Sequence, residues 1–121
     1  MAAADIVGML HFQKLDVYQR SIEFLVVANR IRGLLPKGNA DLADQLRGAA
    51  QSIPQNIAEG CGRATRADKA KHYTIARGSA MECAAHLDVM KIDELIENAL
   101  YERGVDLLER IVAMLTKLVD P

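Results

Sequence analysis

The apolar positions of this chain recur at intervals of three and four residues almost throughout, and nowhere alternate as a half-buried strand would. Four amphipathic helices follow from that pattern. The first is predicted from about Lys14 to Leu35, with Leu15, Tyr18, Ile22, Leu25, Val26, Ile31, Leu34 and Leu35 as its apolar stripe and Phe24, Val27 and Ala28 widening it. Pro36-Lys37-Gly38-Asn39 reads as a turn. The second helix is expected from about Asp41 to Glu59, carried by Leu42, Leu46, Ala49, Ile53 and Ile57. The third runs from about Thr65, as N-cap with Asp68 three residues on, to about Lys91. Its stripe is Tyr73, Ala76, Ala80, Cys83, Leu87 and Met90. A loop at 92–97 leads to the fourth helix, from about Asn98 to Val119, lined by leucines, isoleucine and valines. Four helices of similar length with short connections predict an all-α protein, an antiparallel up-down-up-down four-helix bundle over residues 14–121. Residues 1–13 form an N-terminal lead segment ahead of it.

Glycine and proline modify this plain picture at four places. Pro54 falls inside the second helix, where it cannot donate to the carbonyl of Ala50, so a kink is expected near Ala50 to Ile53. Gly60 and Gly62 can take positive φ cheaply, and either could end that helix. Gly78 lies in the middle of the third helix, where close packing against a neighbouring helix is the expected compensation. Gly104 is expected to loosen the start of the fourth helix.

Composition agrees with packed helices. Apolar residues make up 50% of the 121, aromatics only 4%, and tryptophan is absent, so aliphatic side chains must fill the core. The two cysteines, Cys61 and Cys83, are far apart and form no Cys-x-x-Cys motif, which argues against a disulfide framework and suits a reducing cytoplasm. The first ten residues lack the basic start of a signal peptide, and no run approaches the ~20 apolar residues of a membrane span. The expectation is a cytoplasmic protein with no membrane partner.

The least generic stretch is Ser52-Ile53-Pro54-Gln55-Asn56-Ile57-Ala58-Glu59-Gly60-Cys61-Gly62-Arg63. Pro54, Asn56, Glu59, Gly60 and Gly62 are read as a structural motif. Glu59 can reach Arg63 one turn on, and Asn56 can satisfy backbone groups freed by Pro54. This segment resembles the four-helix bundle family of 23S ribosomal RNA intervening-sequence proteins. Tyr73, Ala76-Arg77-Gly78-Ser79, Glu82 and the opening Phe12-x-Lys-Leu-x-Val-Tyr18 extend the likeness. The resemblance implies bundles that associate into ring-like pentamers, with no catalytic residues. It also extends to the accessory protein of diversity-generating retroelements, a basic relative that binds nucleic acid.

Charge bears on that last implication. The formal net charge is −1, unlike the basic relative. Yet residues 61–80 hold Arg63, Arg66, Lys69, Lys71 and Arg77 against Asp68 alone, whereas residues 81–121 hold four basic and nine acidic side chains. Clustered cations of this kind contact phosphates with salt-sensitive affinity. Arg66, Lys69 and His72 share one helical face.

Other chemistry is poorly supported. Asp68/His72 and Glu82/His86 are spaced one helical turn apart, but the chain has no Glu-x-x-His of the kind di-iron bundles use, so no metal or other cofactor is expected. Cys61 sits near arginines but has no evident base to activate it. Gly60-x-Gly62 is too short to cradle a phosphate. The sequence therefore points away from an enzyme and from a small-molecule substrate. It leaves two readings: a homo-oligomeric scaffold for a protein partner, pentameric by resemblance, or a binder of structured RNA through the 63–77 patch.

Overall fold

The computed structural model of the chain describes residues 10–121. A short 3-10 helix, His11–Lys14, precedes four α-helices: α1 Asp16–Leu34, α2 Ala40–Cys61, α3 Arg66–Ile92 and α4 Asn98–Val119. No strand occurs among the described residues. Each helix packs on two others, α1 on α2, α2 on α3, α3 on α4 and α4 back on α1, and the diagonal pairs do not meet. With connections of only a few residues, that arrangement is the antiparallel bundle expected. The first nine residues of the lead segment lie outside the described residues.

Three of the helix boundaries have a clear local cause. Thr65 caps α3, its Oγ1 accepting the Asp68 N–H at 3.1 Å. Gly38 takes φ +95° in the α1–α2 turn, where Asn39 Nδ2 donates to the Pro36 carbonyl at 2.9 Å. The end of α3 is a Schellman motif: Leu95 N–H donates to Met90 O at 2.8 Å, and Glu94 N–H to Lys91 O at 3.1 Å. Glu94, at φ 58°, stands in the left-handed position that glycine usually fills.

The buried stripe of α3 matches the periodic positions Tyr73, Ala76, Ala80, Cys83, Leu87 and Met90; α2 and α4 follow theirs closely, except that Leu118 at the end of α4 is exposed. On α1 the line is rotated from the one expected. It runs through Val17, Ser21, Ile22, Phe24, Ala28 and Ile31, keeping Ile22 and Ile31 of the expected stripe, while Val26 and Leu34 are exposed. Ser21 explains the shift. Its hydroxyl donates to the Tyr18 carbonyl at 2.6 Å, so a polar residue sits in the core at little cost and interrupts the apolar reading.

Two glycines are explained by packing. A Cβ at Gly60 would lie 2.6 Å from the Tyr73 ring, and one at Gly104 would lie 2.7 Å from Leu87 Cδ1. Gly104 thus seats Leu87 against α4 and is buried rather than a point of looseness. Neither Gly60 nor Gly62 takes positive φ; Gly60 is helical and Gly62 ends α2 at φ −84°. Gly78 is the opposite case: a Cβ there would meet nothing within 4 Å, so no neighbour in the chain compensates for it.

Candidate functional site: the α2–α3 seam and its basic end

The motif of α2 faces α3, and its polar members are held there. Helix α2 runs unbroken through Pro54, which is buried with Ile53 and Ile57 beside it. Asn56 Nδ2 donates to the Ser52 carbonyl at 2.9 Å and to Ser52 Oγ at 3.0 Å. It does not reach the Ala50 carbonyl, the group Pro54 deprives of a donor, so its role differs from the one expected. Ser79 of α3 donates its hydroxyl to Ser52 Oγ at 2.8 Å, and His72 Nδ1 lies 3.3 Å from Asn56 Oδ1. Because Asn56 spends its amide on Ser52, its oxygen is the atom that faces His72. Four polar side chains thus fasten α2 to α3 across an otherwise apolar contact.

Below this network the seam closes on Tyr73. Gly60 lets the ring against the α2 backbone, and the Tyr73 hydroxyl lies 3.4 Å from Cys61 Sγ. Burial, then the contact with Cys61, pushes the phenol well above its usual range. Burial likewise pushes the Cys83 thiol up to about 12, so that side chain stays a neutral core residue.

The five basic residues at 63–77 do not act as one patch. Lys69 Nζ donates to the Cys61 carbonyl at 3.0 Å and approaches Gly60 O at 3.4 Å, capping the negative end of α2. Sequence reading missed that role, although a lysine four residues past a cap, close after a helix end, is the available signal. Arg63 pairs with Glu59 in the i, i+4 bridge expected. Arg77 Nη1 lies 3.4 Å from Thr116 Oγ1 on α4. Arg66 and Lys71 are exposed and form no ion pair among the described residues. Arg66, Lys69 and His72 do share a face, but Lys69 and His72 on it are turned to α2.

No arrangement of reacting groups accompanies the seam. Groups of three or more histidine, cysteine or acidic residues able to hold a metal are absent among the described residues. His86 and Glu82 form a lone pair at 3.3 Å. A groove of about 340 Å³ lies between the 3-10 helix, α1 and α2 and is lined by Phe12, Tyr18, Ile22, Leu25 and Pro54 with two glutamines. It brings no acid, base or nucleophile together. Outside the seam, Tyr101 donates its hydroxyl to Asp88 at 2.6 Å, and Lys91 Nζ lies 4.6 Å from the centre of its ring. The bond to Asp88 holds the Tyr101 phenol above its usual range.

Fold and seam together define a small all-α bundle whose polar motif ties two helices together. The family comparison agrees with that description. The profile of the 23S rRNA-intervening sequence protein family matches residues 13–117, and the chain belongs to that family. A solved structure from Bacteroides thetaiotaomicron, described as a protein with unknown function from the S23 ribosomal protein family, shares the fold. It superposes with a TM-score of 0.80 at 24% identity, covering 87% of this chain and 99% of that one. No curated protein matches the chain. No helix among the described residues is long and apolar enough to cross a membrane.

Proposed function

We propose that this protein works without catalysis, as a homo-oligomeric helical bundle that scaffolds a partner. The observation that carries this reading is apolar surface left over on α3. Ile75, Met81, Val89 and Ile92 are 43, 55, 48 and 81% exposed, more than scattered surface residues would explain. The use of the polar motif residues to hold the bundle together also supports it, since they are then not free to act on a substrate. The resemblance adds a ring of five as the expected stoichiometry. Sedimentation velocity tests the reading: a mass at a multiple of 13.3 kDa at micromolar concentration is expected, and a monomer would end it.

A second reading, contact with structured RNA, rests on Arg66 and Lys71, exposed and without in-chain ion pairs at the basic end of α3. Titration of a labelled RNA hairpin at low and at physiological salt separates the two. Binding that weakens with salt and is lost in an Arg66→Glu/Lys71→Glu variant supports it. No binding at low salt removes it and leaves a protein partner.

A further inference from the structure

The groove between the 3-10 helix, α1 and α2 is apolar and ends in a charge. Helix α1 lines it with Tyr18, Ile22 and Leu25, and α2 with Ala58, Pro54 and Gln51, in matching steps of four and three. One further step of four along each helix brings Asn29 and Arg47 to its far end. No charged side chain lines the groove itself. Arg47 is exposed and forms no ion pair among the described residues. The polar members of the lining are Gln51 and Gln55, whose side chains make no hydrogen bond among the described residues.

The near end of the groove is where the lead segment joins the bundle. The 3-10 helix packs against both α1 and α2. Phe12 closes this end, its ring 5.0 Å from that of Tyr18 and edge-on to it. Two residues earlier, the Leu10 N–H is tied to Gln13 Oε1 at 2.9 Å. The chain ahead of Leu10 therefore starts from a fixed point beside the groove, and it reads Asp5-Ile6-Val7-Gly8-Met9. Ile6 and Val7 are β-branched and Gly8 is a poor helix former, so this stretch favours an extended backbone. In an extended chain Met9, Val7 and Asp5 share one side.

Length and chemistry match in one register. From Tyr18 to Asn29 the groove line runs about 16 Å, at ~1.5 Å per residue. From Leu10 back to Asp5 an extended chain covers about 16 Å, at ~3.3 Å per residue. Met9 then falls beside Tyr18 and Ile22, Val7 beside Leu25 and Gln51, and Asp5 at Arg47. Apolar side chains meet the apolar lining, and the anion meets the cation at the far end. The glutamine amides stand where an extended chain leaves backbone groups unpaired. This register is counted from the chain's own Leu10, which makes the occupant its own lead segment rather than that of a second copy.

We infer that residues 5–9 strap the α1–α2 groove of their own chain, extended and antiparallel to α1, with Val7 and Met9 in the groove and Asp5 at Arg47. The inference does not depend on the function proposed above. With the strap seated this face is closed to a partner, unlike the exposed apolar residues of α3.

Disulfide trapping on the full chain tests it, with Cys61→Ser and Cys83→Ala removing the native thiols. In that background Val7→Cys/Gln51→Cys should close within one chain under mild oxidation, at least tenfold faster than Val7→Cys/Ala58→Cys. A loose segment would favour Ala58, which lies nearer its anchor, so equal or reversed rates overturn the register. A disulfide between two chains assigns the groove to a second copy and overturns the intramolecular strap. No disulfide at Gln51 overturns it as well. A charge exchange on the otherwise native chain gives an independent answer if the thiol-free background fails to fold. Asp5→Arg and Arg47→Asp should each lower the melting temperature by about 1–2 °C, and the double variant should regain it. Val7→Asp, which places a charge in the apolar groove, should lower it by about 5 °C. A double variant no better than the single ones, or an unchanged melting temperature in Val7→Asp, means that the segment lies elsewhere.

Discussion

Helices α3 and α4 lie side by side in the same bundle and treat their outward faces in opposite ways. On α4 the side away from the core is charged, with Glu102, Asp106 and Glu109, as a helix with one packing partner surface should be. On α3 the same side carries Met81, Ala85, Val89 and Ile92. Their glycines repeat the contrast. Gly104 of α4 is needed by the chain itself, because Leu87 occupies the space of its missing side chain. Gly78 of α3 faces nothing. Gly104 thus marks surface that folding uses, whereas at Gly78, as at Gly48 of α2, a side chain would stand in open space.

Substitutions along α3 sharpen this contrast. The largest effect belongs to the inner face. Leu87→Ala removes a fully buried side chain and should cost about 2–5 kcal/mol, read from urea unfolding. A loss below about 1 kcal/mol would mean that the seat against Gly104 is not tight.

The pH dependence comes next. Cys83 has a raised folded pKa, so the folded state holds its proton more firmly than the unfolded one. Its contribution is full below the ordinary thiol value of 9.0 and is lost as pH rises toward about 12. The urea midpoint should fall through that window, with Tyr73, also raised, adding to the fall above 10.0. Cys83→Ala should flatten the first part of the decline; an unchanged slope would show that the thiol is not desolvated.

Gly60→Ala forces a methyl against the Tyr73 ring at 2.6 Å and should cost about 1–3 kcal/mol, more than its helix-propensity gain returns. Gly78→Ala is the mirror experiment. With open space at that position it should stabilise the isolated bundle by up to about 1 kcal/mol. Thermal melts of the two variants should move in opposite directions, and a shared direction would erase the distinction drawn between them. The smallest effect is Met81→Gln on the outer face, expected within about 0.5 kcal/mol for the single chain.

Much of the fold was legible before any coordinates. Expected boundaries for α2, α3 and α4 fell within about two residues of Ala40–Cys61, Arg66–Ile92 and Asn98–Val119, because caps and glycines mark helix ends locally. The stripe of α1 was harder. Ser21 hides in the core by bonding its own helix, so periodicity alone drew the line through Val26 and Leu34 instead. The basic block was legible as composition but not as geometry. A lysine close after a helix end hints that Lys69 turns back to α2, but only the packing of the helices shows that it does so while Lys71 stays exposed. Asn56 and Glu59 were read as structural; Asn56 bonds within α2 and Glu59 pairs with Arg63, and the partners Ser79 and His72 on another helix were not foreseen.

The sequence by itself determined the helices, their ends and the class of bundle, because hydrogen bonding, capping and amphipathic spacing act over a few residues. It also carried the family motif of α2. The tertiary structure decided which glycines are filled by a neighbour, which polar residues meet across the α2–α3 seam, and which face of α3 is left without a partner. Those outcomes depend on distances between segments far apart in the chain, and they are fixed only when the helices choose their rotations to bury the most apolar surface together.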